Sequence, residues 1–457
     1  MKDKNNMIFG LSSEDKRRLL DKVKRKKSQP AKDNLIRNNT ASFNGINHDY
    51  YQFDKFPEYK QIQIQKLAAE KLNIAIPYFK IHDGLAKNVT TINGIEYINY
   101  ASYDYINLSG HPNVDNAAID AIRRYGTTVS ASRPVSGERP IHQELEQQLS
   151  EIHNTESSLL FVSGHAANVT TIGCLFGHKD LIIHDSLIHN SIIQGAILSG
   201  AKRLSFPHND MELLDKILQD IRGNYEKVLI VIEGLYSMEG DIPDLPKIVD
   251  IKQKYTALLM VDEAHSIGVV GETGMGICEH FGIQSDHVDI TMGTLSKSLV
   301  SCGGYISGNK ELIEILKYNA PGFVFSVGMP PSSVASALEA IKILKKEPER
   351  VRILRDKSLM FYNLVKASNL DTGTCSGYSI IPVITGNSLQ AVNLSNKLFE
   401  RGINVQPIIS PAVEERAARL RFFISSAHTR KQIEDTVNIL KEEQSSSTVG
   451  SIKKLFK

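Results

Sequence analysis

Five short apolar runs recur through the middle of the chain: SLLFVS (158–163), DLIIHD (180–185), KVLIVIEG (227–234), ALLMVDEAH (257–265) and DITMGT (289–294). Each has the length of a strand and is bounded by polar or glycine-containing segments. Around them lie HQELEQQLSEIH (142–153), IHNSIIQGAILSG (188–200) and NDMELLDKILQDIRG (209–223), with apolar residues at helical spacing. Strand alternating with helix predicts βαβ units and a largely parallel sheet covered on both faces. After about residue 345 the charge density rises with LKKEPERVRILRDK, and the pattern loosens into a mixed αβ stretch ending near Glu442. The chain divides accordingly into a basic polar leader (1–45), an N-terminal segment (46–105), a large α/β domain (106–345), a smaller C-terminal domain (346–442) and a polar tail (443–457).

Composition narrows the class. The 457 residues carry 53 Lys+Arg against 51 Asp+Glu, a formal net charge of +2. That balance excludes a protein held to nucleic acid or membrane mainly by bulk charge. No run approaches the roughly 20 apolar residues of a membrane-spanning helix. The start, MKDKNNMIFG, shows no secretory signal, and Cys174, Cys278, Cys302 and Cys375 are scattered without a CxxC pair. A reducing cytoplasm is the expected setting. The leader contains a basic run (14–32) with Leu19, Leu20 and Val23 near helical spacing. It reads either as a solvated, frayed helix or as a docking segment for a larger synthase or carrier protein.

Ligands of open α/β sheets bind at the carboxyl ends of the strands, so the residues after each apolar run mark the expected site. Gly164-His165 succeeds the first run, His189 the second, Tyr236-Ser237 the third, Asp262-Glu263-Ala264-His265 the fourth and Ser296-Lys297 the fifth. Desolvation or a cationic neighbour at Lys297 would lower its pKa and make it a Schiff-base nucleophile. Asp262 would either cap the next helix or hold the ring nitrogen of pyridoxal phosphate (PLP) protonated. His265, three residues on, would reach the phenolic oxygen of that ring. The Gly164-His165 turn, with free amides and a helix dipole, suits a phosphate. His189 reads as a buried core histidine, as half of a metal pair with His184, or as a flat ring stacked on a flat cofactor. The last is the most economical, because no Cys or acidic cluster accompanies the pair, and no metal is expected. There is no GxxxxGK[ST] phosphate loop and no GxSxG elbow, and Gly271 to Gly276 has the wrong order for a dinucleotide fingerprint.

The motifs SRPVSGERPIHQELE (132–146), FVSGHAAN (161–168), EGLYSMEGDIPDL (233–245), VDEAHSIGVVGETGMG (261–276), GTLSKS (293–298) and RLRFFISSAHT (419–429) resemble those of the PLP-dependent α-oxoamine synthases. The resemblance runs from about Tyr97 to Leu440. It implies PLP fold-type I, a large domain with a mostly parallel seven-stranded sheet plus a smaller C-terminal αβ domain, in a homodimer. It also implies Lys297 as the lysine that bonds the cofactor aldehyde, Asp262 at the ring nitrogen, His265 at the ring oxygen and His189 stacked on the ring. Gly164 and His165 would hold the phosphate, Ser237 and Thr294 would make further cofactor contacts, and Arg421 would bind the amino-acid carboxylate. The implied reaction condenses a small amino acid with an acyl thioester, on CoA or a carrier protein, releasing thiol and CO2 and leaving an α-amino ketone.

Departures from the family pattern indicate the branch. In SYDYINL (102–108), Tyr103 replaces an asparagine near the substrate carboxylate and Asn107 replaces a glycine; a tyrosine there resembles serine palmitoyltransferase-like members. SPAVEERAARLR (410–421) lacks the PPTVP-type sequence of the biotin-pathway enzymes, with Ala412 in place of threonine. A long-chain acyl thioester is the favoured partner, with glycine, alanine and serine all open as the amino acid. The other readings are 8-amino-7-oxononanoate synthase, a simple aminotransferase, and a scaffold subunit without catalysis. A scaffold would be expected to lack Lys297.

Overall fold

The structure, a computed structural model, describes residues 47–71 and 74–455. The leader and its docking reading lie outside the described residues. Thirteen strands are present among them: β1 (Val89–Ile92), β2 (Ile95–Asn99), β3 (Ser157–Phe161), β4 (Leu181–Asp185), β5 (Lys202–Phe206), β6 (Val228–Glu233), β7 (Leu258–Asp262), β8 (Ile290–Thr294), β9 (Gly304–Gly308), β10 (Ile380–Ile384), β11 (Ile403–Asn404), β12 (Gln406–Ile408) and β13 (Arg419–Phe423). Seven form one sheet in the order β3-β9-β8-β7-β6-β4-β5, parallel except for β9, which runs antiparallel to both neighbours.

Strands β4, β6 and β8 are buried at every position, as the apolar runs require. Alternate residues feed two core layers: Val228, Ile230 and Ile232 enter one face, while Leu229 and Val231 enter the other. Each such side chain contributes roughly 1.5–3 kcal/mol on burial. Helices Gly164–Leu175, Asn190–Ser199 and Met211–Ile221 cross between strands and begin on caps from Ser163, His189 and Asp210. Because the connected strands are parallel, β4, β6, β7 and β8 all end on one edge, at Asp185, Glu233, Asp262 and Thr294.

Two three-stranded sheets complete the architecture, β10-β13-β12 and β1-β2-β11. The second joins the N-terminal segment to the C-terminal part: Ile403 and Asn404 pair in parallel with Ile98 and Asn99, and Tyr97 stacks on Phe399 at 4.2 Å. The last helix, Arg430–Leu455, runs on through the stretch set apart in sequence as a polar tail. Among the described residues no helix is long and apolar enough to cross a membrane.

Arg133 ties the 133–138 turn to the core. Its guanidinium holds Glu138 at 2.6 and 2.7 Å and also pairs with Glu146, whose carboxylate accepts the Leu160 amide at 2.9 Å. Removing the cation leaves the buried Glu146 carboxylate uncompensated. Arg133→Ala should lose about 3–5 kcal/mol in denaturant unfolding; a loss within experimental error would make the cluster energetically idle.

Candidate active site

The carboxyl edge of the large sheet encloses a cavity of about 260 Å3. Asp262 ends β7 and is buried, and both of its oxygens are held. The Asn168 amide donates to Oδ2 at 2.8 Å, and the Ala264 backbone N–H donates to Oδ1 at 3.0 Å. Asn168 lies four residues beyond Gly164, hence on the same face of the Gly164–Leu175 helix. It also donates to Ser191 Oγ at 2.9 Å, and that hydroxyl lies 2.7 Å from His189 Nδ1. The Ser191 amide donates to the same nitrogen at 3.2 Å. Nδ1 therefore accepts, and a neutral His189 carries its proton on Nε2. Burial holds His189 below its ordinary value, with the Asp262 charge opposing.

Lys297 sits in the hairpin loop between β8 and β9, closed by Leu295 N–H to Gly303 O at 3.0 Å and Val300 N–H to Lys297 O at 2.9 Å. Val300 adopts φ 40°, a strained backbone for a β-branched residue. Desolvation brings the half-buried lysine down to about 8, against the pull of Asp262 and Glu233, while Arg421 adds to the lowering. His265 is pushed well below its ordinary value by burial, then by the positive charges of Lys297 and Arg421. The Tyr103 ring lies 5.9 Å from the Lys297 ammonium and meets Phe423 edge-on at 4.8 Å.

The Gly164–Leu175 helix opens its N-terminus into the cavity, where the Gly164 and His165 amides precede the one capped by Ser163. Gly164 is closely packed. A Cβ there would stand 2.9 Å from Met292 Cε and 3.1 Å from Thr294 Oγ1. On the neighbouring strand, a Cβ at Gly304 would lie 2.5 Å from Gly164 Cα.

Gly164, His165, His189, Asp262, His265, Thr294 and Lys297 thus line one cavity, as their places at strand ends lead one to expect. Ser237 and Arg421 stand beside it rather than on its wall. The Ser237 amide donates to Glu233 at 3.1 Å, and Arg421 donates to the Ser237 carbonyl at 2.9 Å. The Arg421 guanidinium lies 4.6 Å from the Phe423 ring, and its Nε has no hydrogen-bond partner among the described residues. Arg419, two residues earlier, reaches the Met238 carbonyl at 2.8 Å and Glu239 at 3.0 Å, so two arginines of β13 grip one loop of the large domain.

That loop is fixed from the far side by His208, which bridges Asp185 at 3.0 Å and Asp241 at 2.9 Å. Burial alone would lower its pKa, but the two carboxylates push it up to about 10. A raised histidine stabilises the fold fully below its unfolded pKa of about 6.5, and that contribution fades as pH rises through the folded value. His208→Ala should therefore lower the melting temperature more at pH 6 than at pH 10, as thermal scans across that range will register. Equal losses would remove the charge from the account.

Sequence reasoning gave no role to Glu233, Asn168, Tyr105 or Phe423. Glu233 and Asn168 fall inside the quoted motifs EGLYSMEGD and FVSGHAAN, which was the available signal. His184 forms no metal pair with His189; its Nδ1 and Nε2 engage the Asp185 carbonyl and Arg203. Among the described residues no group of three His, Cys, Asp or Glu is placed to hold a metal.

Comparison with known proteins places the chain in a family. The chain belongs to the family described as aminotransferase class I and II, whose profile matches residues 95–440. Within that family it falls among the PLP-dependent α-oxoamine synthases, which are acyl-transferring enzymes. It is 40% identical over 343 residues to 8-amino-7-oxononanoate synthase of Thermoanaerobacter pseudethanolicus, covering 75% of this chain and 86% of that one. Serine palmitoyltransferase of Sphingobacterium spiritivorum is 39% identical over 360 residues, covering 79% and 90%. A high-resolution structure of a serine palmitoyltransferase with PLP superposes with a TM-score of 0.81 at 28% identity, covering 86% of this chain and 98% of that one.

The residues present fit PLP. A helix N-terminus suits the phosphate, a carboxylate with both oxygens fixed suits a protonated ring nitrogen, and a lysine near 8 suits bonding to an aldehyde. Glu233 Oε1 and Asn168 Oδ1, both buried beside the cavity, have no protein partner among the described residues.

Proposed function

We propose that this α-oxoamine synthase joins a small amino acid to a long-chain acyl thioester, releasing CO2 and free thiol and leaving an α-amino ketone. The observation that carries the reading is the union of Lys297, its amine brought down to about 8, with Asp262 in one cavity. When bound, PLP supplies an aldehyde that amines can occupy in turn and a ring that accepts the electron pair left at Cα. Asp262, its two oxygens held by Asn168 and Ala264, would favour a protonated ring nitrogen. Lys297 exchanges a proton near neutral pH, as a residue that alternates between bonded and free amine must. His189 lines the cavity with a ring that would stack on the cofactor, Gly164 and His165 would hold its phosphate, and Thr294 and Ser237 would make further contacts. Arg421, which stands beside the cavity, would bind the amino-acid carboxylate, for which a guanidinium fork is suited.

The long acyl chain is supported by Tyr103 beside Lys297 and by Ala412 in the 410–421 stretch. A second reading, 8-amino-7-oxononanoate synthase, draws on the 40% identical relative. Turnover with pimeloyl against palmitoyl thioester separates the two. The same proposal has the chain acting as a homodimer in a reducing cytoplasm, in keeping with four unpaired cysteines. Phe79, Val135 and Phe325 (99, 81 and 86% exposed) are among the large apolar residues left open on the surface.

The deciding experiment is a visible-light titration with PLP, then with glycine, L-alanine and L-serine in turn. A saturable cofactor band that one amino acid shifts is the expected result. Absence of any band after added PLP would end the proposal. Arg421→Ala should raise the KM of the amino acid by about 10- to 100-fold while moving that of the thioester far less, since a charged hydrogen-bonding pair is worth about 1.5–3 kcal/mol. Equal effects on both would dismiss its role.

A further inference from the structure

Tyr105 is a buried group that the proposed chemistry leaves unused, and it touches the cavity through His265. Its side chain is fully buried, and its hydroxyl lies 2.8 Å from His265 Nδ1. We propose that Tyr105 fixes the proton of His265 on Nε2 and so makes the ring a hydrogen-bond donor toward the cavity.

One hydrogen decides the matter. Among the described residues the phenolic O–H of Tyr105 has a single acceptor within reach, His265 Nδ1. If Nδ1 carried a proton and donated it instead, the phenolic hydrogen would be orphaned in a dry core. Orphaning a buried donor costs about 1–3 kcal/mol, enough to favour one tautomer by roughly 5- to 150-fold. Tyr105 itself keeps its proton, because burial pushes its pKa well above the ordinary value. The His265 ring is neutral for the same reason, with Lys297 and Arg421 adding to the effect. One proton remains to be placed, and Nδ1 is taken as acceptor, so it resides on Nε2.

Rotation offers no escape. The His265 ring stacks on Phe423 at 6.4 Å with 9° between planes, and Tyr103 closes its edge at 6.1 Å. Turning the ring over would bring a carbon against the Tyr105 hydroxyl and strand the same hydrogen. Nε2, the nitrogen left toward the cavity that His265 lines, is then a fixed donor. Building on the proposed function, that donor suits an anionic oxygen on the ring of PLP, whereas the opposite tautomer would set a lone pair against it. Tyr105 acts through His265 and is a positioning residue.

The experiment is 15N spectroscopy of the full chain labelled at histidine, without and with PLP, with the His265 signal identified by its loss in His265→Gln. The expected wild-type spectrum has His265 Nδ1 unprotonated and Nε2 protonated. Tyr105→Phe should mix the tautomers and weaken PLP binding about tenfold in an absorbance titration. Tyr100→Phe is the control. It removes an equally buried hydroxyl that bonds Gln432 and Thr436 instead, and it should change neither reading. A proton on Nδ1 in the wild type overturns the proposal even if Tyr105→Phe does not fold, and an unchanged tautomer in that variant overturns Tyr105 as its cause. The tautomer is read without cofactor, so failure to bind PLP would undo the proposed function and leave this result standing.

Discussion

Lys297→Ala should lower α-amino ketone formation by about 10^4-fold or more, because among the described residues lining the cavity no other amine can take up the cofactor aldehyde or the Cα proton. Product formation by mass spectrometry checks this, and the cofactor band should lose its characteristic position while the fold persists. Residual turnover within tenfold of wild type would remove Lys297 from the chemistry. The same position carries a stability signature of definite sign. Between about pH 8 and 10.5 the unfolded chain holds a proton on this lysine that the folded chain has released, so stability rises with pH across that window. Below it the folded protein carries a desolvated charge. Lys297→Met should therefore stabilise the protein at pH 7, by on the order of 1–3 kcal/mol, with the gain shrinking as pH approaches 10.5. Denaturant unfolding at the two ends of the window measures the difference.

Asp262→Asn should cost about 10^2- to 10^3-fold in kcat, the scale seen when one preorganised electrostatic partner is removed from an active site. The fold should survive, because both neighbours can adapt. The new carboxamide can accept from the Ala264 amide through its oxygen, and Asn168 can turn its unpaired Oδ1 toward the new NH2. A second effect lies one strand away. Glu233 pairs in register with Asp262 and is held well above the ordinary carboxyl range, by burial first and then by the Asp262 charge. Neutralising Asp262 should bring Glu233 down, visible as a shift in its carboxyl titration by infrared difference spectroscopy. A kcat equal to wild type would detach Asp262 from the chemistry.

The fold was legible wherever apolar runs were complete. The central strands β4, β6, β7 and β8 and the helices between them stand within a few residues of where periodicity puts them. Strands β5 and β9 were not evident. The first, KRLSF, is a half-polar edge strand, and the second, GYISG, is short and begins and ends in glycine. At the site, residues just past a strand could be read from position alone, which is why Lys297, Asp262 and His189 stood out. Those created by tertiary pairing could not. Glu233 meets Asp262 only through the β6–β7 register, and Tyr105 meets His265 across 160 residues. Arg421 lies mid-strand in a separate sheet, and its contact with the 237–238 loop carries no local mark.

Gly164 and Gly304 belong to different strand–loop units, yet Gly164 occupies the volume that a side chain at Gly304 would need. A methyl group at Gly304 would press on Gly164 Cα at 2.5 Å and on its amide nitrogen at 2.6 Å, moving the turn that opens into the cavity. A substitution at Gly304 has no partner change to rescue it, since the atoms in its way are backbone and a smaller residue than glycine does not exist. In descent Gly304 is therefore held as glycine by the backbone of Gly164 against it. Copies of this chain that lose catalysis and drift should betray it first there, by side chains appearing where active copies have none.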